Sequence, residues 1–222
     1  MDYYSMVLGA IQKLLADIGQ KKYSDVVGEC LEKWKNDGDC TMFGREFDKR
    51  GRFADYRLDS SQISDIEKGF WTGQTLSALI AMSAQISAMH QRGTEIDLEF
   101  MRKNFGVDNE IMTVSKCADC GRLEATGMDI DKYISKIVIA KKIVDGMEKD
   151  NLNEQVESII TMTAPEIEKE RGKATARLSN SSIAFTEKYV KVKGCLKCGS
   201  SKITEGRLLK SIKENVFVPL GR

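Results

Sequence analysis

Two short stretches decide how this chain is read: residues 116–125, KCADCGRLEA, and residues 193–203, KGCLKCGSSKI. Each holds Cys-x-x-Cys followed by Gly. The thiols are Cys117 and Cys120 in the first stretch, Cys195 and Cys198 in the second, with 74 residues between the pairs. A strand-like run enters each pair, EIMTVSK at 110–116 and KYVKVKG at 188–194. GRLEAT and SKITEGRLL follow as return strands. Glycine after the second thiol permits a bend that turns backbone N–H groups toward sulfur. Two such bends supply four thiolates, which satisfy a tetrahedral Zn²⁺ with no open position. The spacing therefore predicts one shared structural zinc site. Two half-sites, each completed by a second copy, and four unrelated thiols remain as alternatives.

Other uses of the cysteines fit less well. A redox Cys-x-x-Cys opens a helix, whose N-terminus lowers the thiol pKa, whereas here each pair runs into turn and strand residues. Six cysteines in 222 residues, with no signal peptide in MDYYSMVLGAIQKLL, do not make a disulfide framework. Cys30 lies on the apolar side of a predicted helix and reads as a core thiol. Cys40 sits in a predicted loop beside Asp39. Neither belongs to a Cys-x-x-Cys pair.

Residues 111–126 and 188–206 resemble the zinc-ribbon family, on the motif formed by Cys117, Cys120, Cys195 and Cys198. The resemblance implies a structural metal. Its members include transcription factors, polymerase subunits, nucleases and adaptors. Upstream, a helical pair followed by GRFADYRLD is similar to small uncharacterised bacterial helical domains, which implies a bacterial or phage protein.

Around the cysteine stretches the pattern is helical. Val7, Ile11, Leu14, Leu15 and Ile18 share one face of a helix over 4–18. Ser24 is placed to cap a second helix, with Val27, Cys30, Leu31 and Trp34 inward and Gly38 at its end. Residues 51–61 read as a loop or short strand. A long helix runs from Ser60 or Ser61 to about Gln91, with possible breaks at Gly69 or Gly73, and a short one covers 96–104. Beyond the first cysteine pair, Asp129 is read as the cap of a helix carrying Ile130, Tyr133, Ile134, Ile137, Val138, Ile143, Val144 and Met147. Another helix holds Val156, Ile159 and Ile160. TAPE at 163–166 resembles a capping box, and NSS at 180–182 a turn. The expected fold class is mainly α with a small β zinc ribbon (α+β). Residues 1–106 form an all-helical domain. Residues 107–222 form the ribbon domain, with a helical insertion at about 127–180.

Net charge is +1, unevenly spread. Residues 1–120 carry 15 Lys and Arg against 19 Asp and Glu, and residues 188–222 carry 9 against 2. The basic group Lys188, Lys191, Lys193, Lys197, Lys202, Arg207, Lys210 and Lys213 surrounds and follows the second pair. It is either a solvated face or a patch for a polyanion. Residues 69–91 hold no Asp, Glu, Lys or Arg and are long enough to cross a bilayer. Thr72, Gln74, Thr75, Ser77, Ser83, Gln85 and Ser87 are distributed along them, so a buried helix is expected instead of a membrane span. The cytoplasm is the expected compartment.

Catalytic patterns are sparse. His90 is the single histidine, which leaves no second one for a catalytic zinc and no deaminase-type His-x-Glu. RGKATARLS at 171–179 lacks the glycines of a P-loop, and no Gly-x-Gly-x-x-Gly occurs. Glu95, Asp97, Glu99, Asp37 and Asp39 read as solvated helix starts. The expectation is a non-enzymatic, zinc-stabilised binding or regulatory protein whose partner is nucleic acid or an acidic protein surface. A protein-interaction module of adaptor, inhibitor or immunity type is one alternative, and an enzyme built on a carboxylate-held metal is another. The sequence does not specify an oligomeric state.

Overall fold

The computed structural model describes residues 2–48, 66–104, 111–179, 184–186, 194–210 and 215–219. The architecture is α+β and mostly helical. Along the described chain run α1 (Tyr3–Asp17), α2 (Lys21–Asp37), α3 (Thr41–Asp48), α4 (Ile66–Gln91) and α5 (Leu98–Asn104). There follow β1 (Ile111–Cys117), β2 (Leu123–Thr126), α6 (Gly127–Glu148), α7 (Leu152–Ile160), α8 (Ala164–Ser179), β3 (Ala184–Thr186), β4 (Ile203–Lys210) and β5 (Asn215–Pro219).

The chain gathers into two compact units. One comprises residues 1–105 with 139–161, and the other 106–138 with 162–222. The expected insertion at 127–180 is thus shared between them. The physical reason lies in its apolar faces. Ile139, Ile143, Val144 and Met147 of α6, with Leu152, Val156 and Ile159 of α7, are all buried, and α7 packs on α1 and α4.

In the first unit α1 and α2 form a hairpin. Val7, Leu8, Ile11, Leu14 and Leu15 of α1 meet Val27, Cys30 and Leu31 of α2 in the core. Asp2 caps α1 by accepting from the Ser5 amide at 3.0 Å. The Ser24 cap is corrected: α2 begins a turn earlier, at Lys21 after Gln20. Ser24 is buried inside the helix and donates its hydroxyl to the Gln12 carbonyl at 3.0 Å, tying the hairpin together.

Helix α4 is continuous through Gly69 and Gly73. It buries Trp71, Leu76, Leu79, Met82 and Ile86 together with Thr72, Thr75, Ser83 and Ser87. The four buried hydroxyls are satisfied. Thr72 donates to Lys68 O, Thr75 to Trp71 O, Ser83 to Ile80 O and Ser87 to Cys40 O. Such bonds remove the desolvation cost of a polar group in a core. Among the described residues no helix is long and apolar enough to cross a membrane. The expected start of this helix, and the expected elements at 51–61, 180–182 and 188–193, lie outside the described residues.

The second unit is built on a mixed sheet in the order β3-β2-β1-β4-β5. β1 pairs antiparallel with β2 and with β4, β4 antiparallel with β5, and β2 parallel with β3. β1 and β4 align over seven residue pairs, from Ile111↔Leu209 to Cys117↔Ile203. That register carries the first cysteine pair to the strand end where the second pair begins. α6 starts on a capping box in which Thr126 is the cap and Asp129 its partner three residues on. Thr126 N and Oγ1 donate to the Asp129 carboxylate at 3.0 and 2.7 Å. The expected role of Asp129 as the cap itself is corrected accordingly. The box at Thr163 and Glu166 opens α8 as the sequence predicts.

Gly146 provides a test of the α6–α7 packing. A Cβ placed there would lie 2.9 Å from Leu152 Cα and 2.9 Å from Gln155 Cγ. In an open helix Gly→Ala gains about 1 kcal/mol. Here the Leu152 backbone must move, and overpacking costs ~1–3 kcal/mol. Gly146→Ala is expected to lower the urea unfolding midpoint, and a rise would show that the approach is looser than described.

Candidate metal centre

The two cysteine loops are built alike. In the first, Cys117 N–H donates to Arg122 O and Gly121 N–H to Cys117 O, both at 2.9 Å. In the second, Cys195 N–H donates to Ser200 O at 2.9 Å and Gly199 N–H to Cys195 O at 2.8 Å. Gly121 and Gly199 occupy equivalent positions with φ of +71° and +73°. A side chain costs energy in this left-handed conformation, which is why glycine follows each second cysteine. The loops are also joined, because Ala118 N–H donates to Lys202 O at 2.9 Å.

This framework brings the four predicted ligands together. Cys117 Sγ lies 3.6 Å from Cys198 Sγ, and Cys120 Sγ lies 3.5 Å from Cys195 Sγ. All four sulfurs fall within 4.8 Å of one another. Cys117 and Cys195 are buried, Cys120 is half-buried and Cys198 is exposed. Among the described residues this is the one group of three or more His, Cys, Asp or Glu placed to hold a metal ion. It joins both pairs within one chain, as the shared-site expectation requires. Neither pair opens a helix. Cys117 ends β1, Cys120 closes a turn, and Cys195 to Cys198 form a turn ahead of β4.

Backbone amides are directed at the sulfurs. The Cys120 amide, with that of Asp119, lowers the Cys117 thiol to about 7 against the opposing effect of burial. Lys197 N–H lies 3.4 Å from Cys195 Sγ. The Arg122 amide acts to lower Cys120, but burial and the Cys195 and Cys117 sulfurs reverse the balance and raise it. At Cys198 the Ser200 amide also acts to lower, while burial and the other three sulfurs push the thiol up to about 12. The neighbouring sulfurs thus make ionisation of Cys120 and Cys198 harder beside Cys117. A cation among the sulfurs removes that resistance, and the amides then stabilise thiolates. The donor set therefore fits a soft, tetrahedral metal.

Polar side chains that the sequence did not single out brace the loops. Asp119 Oδ2 accepts from the Ser200 hydroxyl at 2.6 Å, and its Oδ1 from Lys202 Nζ at 3.1 Å. Glu124 Oε1 accepts from the Leu196 amide at 3.1 Å and pairs with Arg122 Nε at 3.1 Å. No sequence signal marks the bonds from Asp119 to Ser200 and Lys202 or from Glu124 to Leu196, since each of these joins residues more than 70 positions apart. Of the eight basic residues, Lys197 is exposed and Lys202 pairs with Asp119. Arg207 and Lys210 lie in β4, while Lys188, Lys191, Lys193 and Lys213 lie outside the described residues. Elsewhere, Cys30 is buried in the core as expected, and Cys40 is buried too. Cys40 O accepts from the Tyr4 hydroxyl at 3.0 Å and from Ser87 Oγ at 2.6 Å. Of the acidic residues noted in the sequence, Asp37 pairs with Lys33 and Asp39 with Arg45.

No family model matches the chain, and no curated protein or solved structure shows significant similarity to it.

The two loop glycines allow backbone strain to be separated from packing, since a Cβ at either meets nothing within 4 Å. Gly121→Ala and Gly199→Ala should each destabilise by roughly 1–2 kcal/mol through the left-handed backbone alone. Gly172→Ala, in α8 with the same open space, should instead stabilise by up to about 1 kcal/mol. Chemical denaturation of the three variants measures both signs. A neutral result at the loop glycines would refute the conformational role.

Proposed function

We propose that this protein is a non-enzymatic, zinc-stabilised binding protein. In this reading the second unit is a zinc ribbon with Cys117, Cys120, Cys195 and Cys198 as ligands. The observation that carries the reading is the sulfur geometry. A tetrahedral site with Zn–S of ~2.3 Å has S···S edges of about 3.8 Å; two of the sulfur pairs lie at 3.5 and 3.6 Å and none is farther apart than 4.8 Å. Bound zinc would supply folding energy, because sulfur fills all four positions. A reducing compartment such as the cytoplasm keeps such thiols available.

The ligand we propose is nucleic acid, taken up by the basic stretch. Residues 188–222 carry 9 Lys and Arg against 2 Asp and Glu, or +7, and neutralising phosphates is the usual use of such a run. One observation favours the second reading, an acidic protein surface. Leu196, at the tip of the second loop between Cys195 and Lys197, is 50% exposed. An apolar tip suits a protein partner better than a phosphate backbone.

Elemental analysis is expected to find one zinc per chain, and Cys195→Ser is expected to lose it. Structural zinc contributes on the order of 10 kcal/mol to small folded units. Amide exchange in that variant should therefore rise across 111–138 and 162–210. Residues 139–161, which belong to the helical unit, should keep their protection. Purified protein without metal, or unchanged exchange in the variant, would overturn the zinc reading.

Zinc uptake should release protons in a pH-dependent number. Cys117 titrates near 7, so it brings a proton to the reaction at pH 6 and almost none at pH 8. Calorimetry in buffers of different ionisation enthalpy should show about one proton fewer released per zinc at the higher pH. A count that rises with pH would contradict the assignment.

Nucleic-acid binding is checked by anisotropy with short DNA and RNA at two salt concentrations. The affinity for duplex should fall by roughly 0.9 log units per phosphate contact for each log unit of salt. Lys191, Lys193 and Lys197 replaced together by Gln should flatten that slope and retain zinc. Absence of binding to either polymer at low salt leaves the acidic-protein reading in its place.

A further inference from the structure

The first unit contains a cleft that the zinc centre does not explain. It has a volume of ≈ 680 Å³, and its walls include Asp2, Tyr3, Trp34, His90, Glu95 and Ile96. That volume lies within the range of small-molecule sites, roughly 300–1,000 Å³. Three of these side chains are aromatic rings and two are carboxylates. Among the described residues no Lys or Arg lines the cleft.

The aromatic part is organised from distant points of the sequence. Trp34 of α2 packs edge-on against Tyr4 of α1 at 5.1 Å between centroids, and lies tilted against His90 of α4 at 4.9 Å. Trp34 Nε1 donates to Asp2 Oδ2 at 2.9 Å, which fixes the indole. The Asp2 carboxylate also accepts from Ser5 N and from Ser5 Oγ, at 3.0 and 2.5 Å. Burial works to raise its pKa, but the bonds from Ser5 and Trp34 and the proximity of His90 prevail and lower it. Asp2 is therefore ionised at neutral pH, and its Ser5 and Trp34 donors are neutral groups. Neither Asp2 nor Glu95 has a Lys or Arg ion-pair partner among the described residues.

A concave wall that combines two carboxylates lacking a Lys or Arg partner among the described residues with the fixed Trp34 indole is suited to one class of ligand. We propose that this cleft binds an organic cation, a protonated alkylamine or alkylguanidinium, with its charge held by Asp2 and Glu95 and its stem against Tyr3, Trp34 and Ile96. Carboxylates supply the attraction, and ring faces favour a cation over a neutral molecule of the same shape. A small inorganic cation is strongly hydrated and has no apolar stem to lay against the rings. An anion would meet two negative charges. The cation can be a free small molecule or an arginine or lysine side chain of a partner, since the recognised group is the same.

The test uses the full chain carrying Trp71→Phe, so that Trp34 is the sole indole reporter. Agmatine and the peptide acetyl-Gly-Arg-Gly-amide are titrated separately at pH 8, with urea as a neutral control and sodium sulfate as an anion control. At least one of the two cations is expected to change Trp34 fluorescence saturably, more weakly as sodium chloride is raised, with no saturable response to either control. Agmatine alone identifies a small-molecule site, and the peptide alone identifies a partner side chain. Glu95→Gln should weaken binding about threefold to fivefold, the usual scale for an exposed charge pair. Asp2→Asn keeps a residue able to cap α1, and combined with Glu95→Gln it should weaken binding by about tenfold or more. Circular dichroism checks that the double variant folds, and Glu95→Gln carries the test if it does not. The proposal is overturned if neither cation binds, if urea or sulfate gives the same response, or if Glu95→Gln binds as well as the parent.

Discussion

Four sulfurs within 4.8 Å of one another cannot all carry charge unless something positive lies among them. The spread of the thiols, from about 7 at Cys117 to about 12 at Cys198, expresses that constraint. The surrounding backbone is nevertheless arranged for thiolates, with amides of Asp119, Cys120, Arg122, Lys197 and Ser200 directed at the sulfurs. A site prepared for more negative charge than it can hold alone is prepared for a cation. The sheet depends on the same point. β1 and β4 are distant in sequence, and the loop-closure entropy of joining them must be recovered before their seven pairs contribute. A metal held by Cys117, at the end of that register, and by the Cys195 loop that precedes β4 would recover it at one place.

Local features carried the sequence reading furthest. The Cys-x-x-Cys-Gly repeats located the sulfur cluster because each loop is a self-contained turn, with bonds that stay within six residues. The capping box at Thr163 and Glu166 was legible for the same reason. Ser24 misled because Ser is favoured both at a cap and, when a carbonyl is in reach, inside a helix hairpin. Only the position of Gln12 O decides between them, and that is set by packing. Thr126 was missed beside Asp129 because either type can cap a helix.

Features that depend on pairing between distant segments were not legible. β3 is three residues long, and its hydrogen bonds come from a parallel neighbour some sixty positions away, so no local alternation announces it. β5 falls in the basic tail and gains its place by pairing with β4. The assignment of 139–161 to the helical unit follows from apolar faces that the sequence showed correctly. What the periodicity could not show is which partner face covers them. Asp119 and Glu124 belong to the same category, since their partners lie on the opposite loop.

The basic excess after Lys188 takes on a different weight once the metal centre is considered. The formal +7 of residues 188–222 counts Cys195 and Cys198 as neutral. With both as thiolates the same segment carries +7 − 2 = +5. Zn²⁺ with four thiolates has a net charge of −2, and lysines nearby reduce the cost of holding that charge in a half-buried site. Lys197 and Lys202 are both exposed, but Lys202 is drawn into this local balance through its ion pair with Asp119. Loss of Lys202 therefore disturbs the bracing of the loops as well as the surface charge, whereas loss of Lys197, which has no ion-pair partner among the described residues, removes surface charge alone.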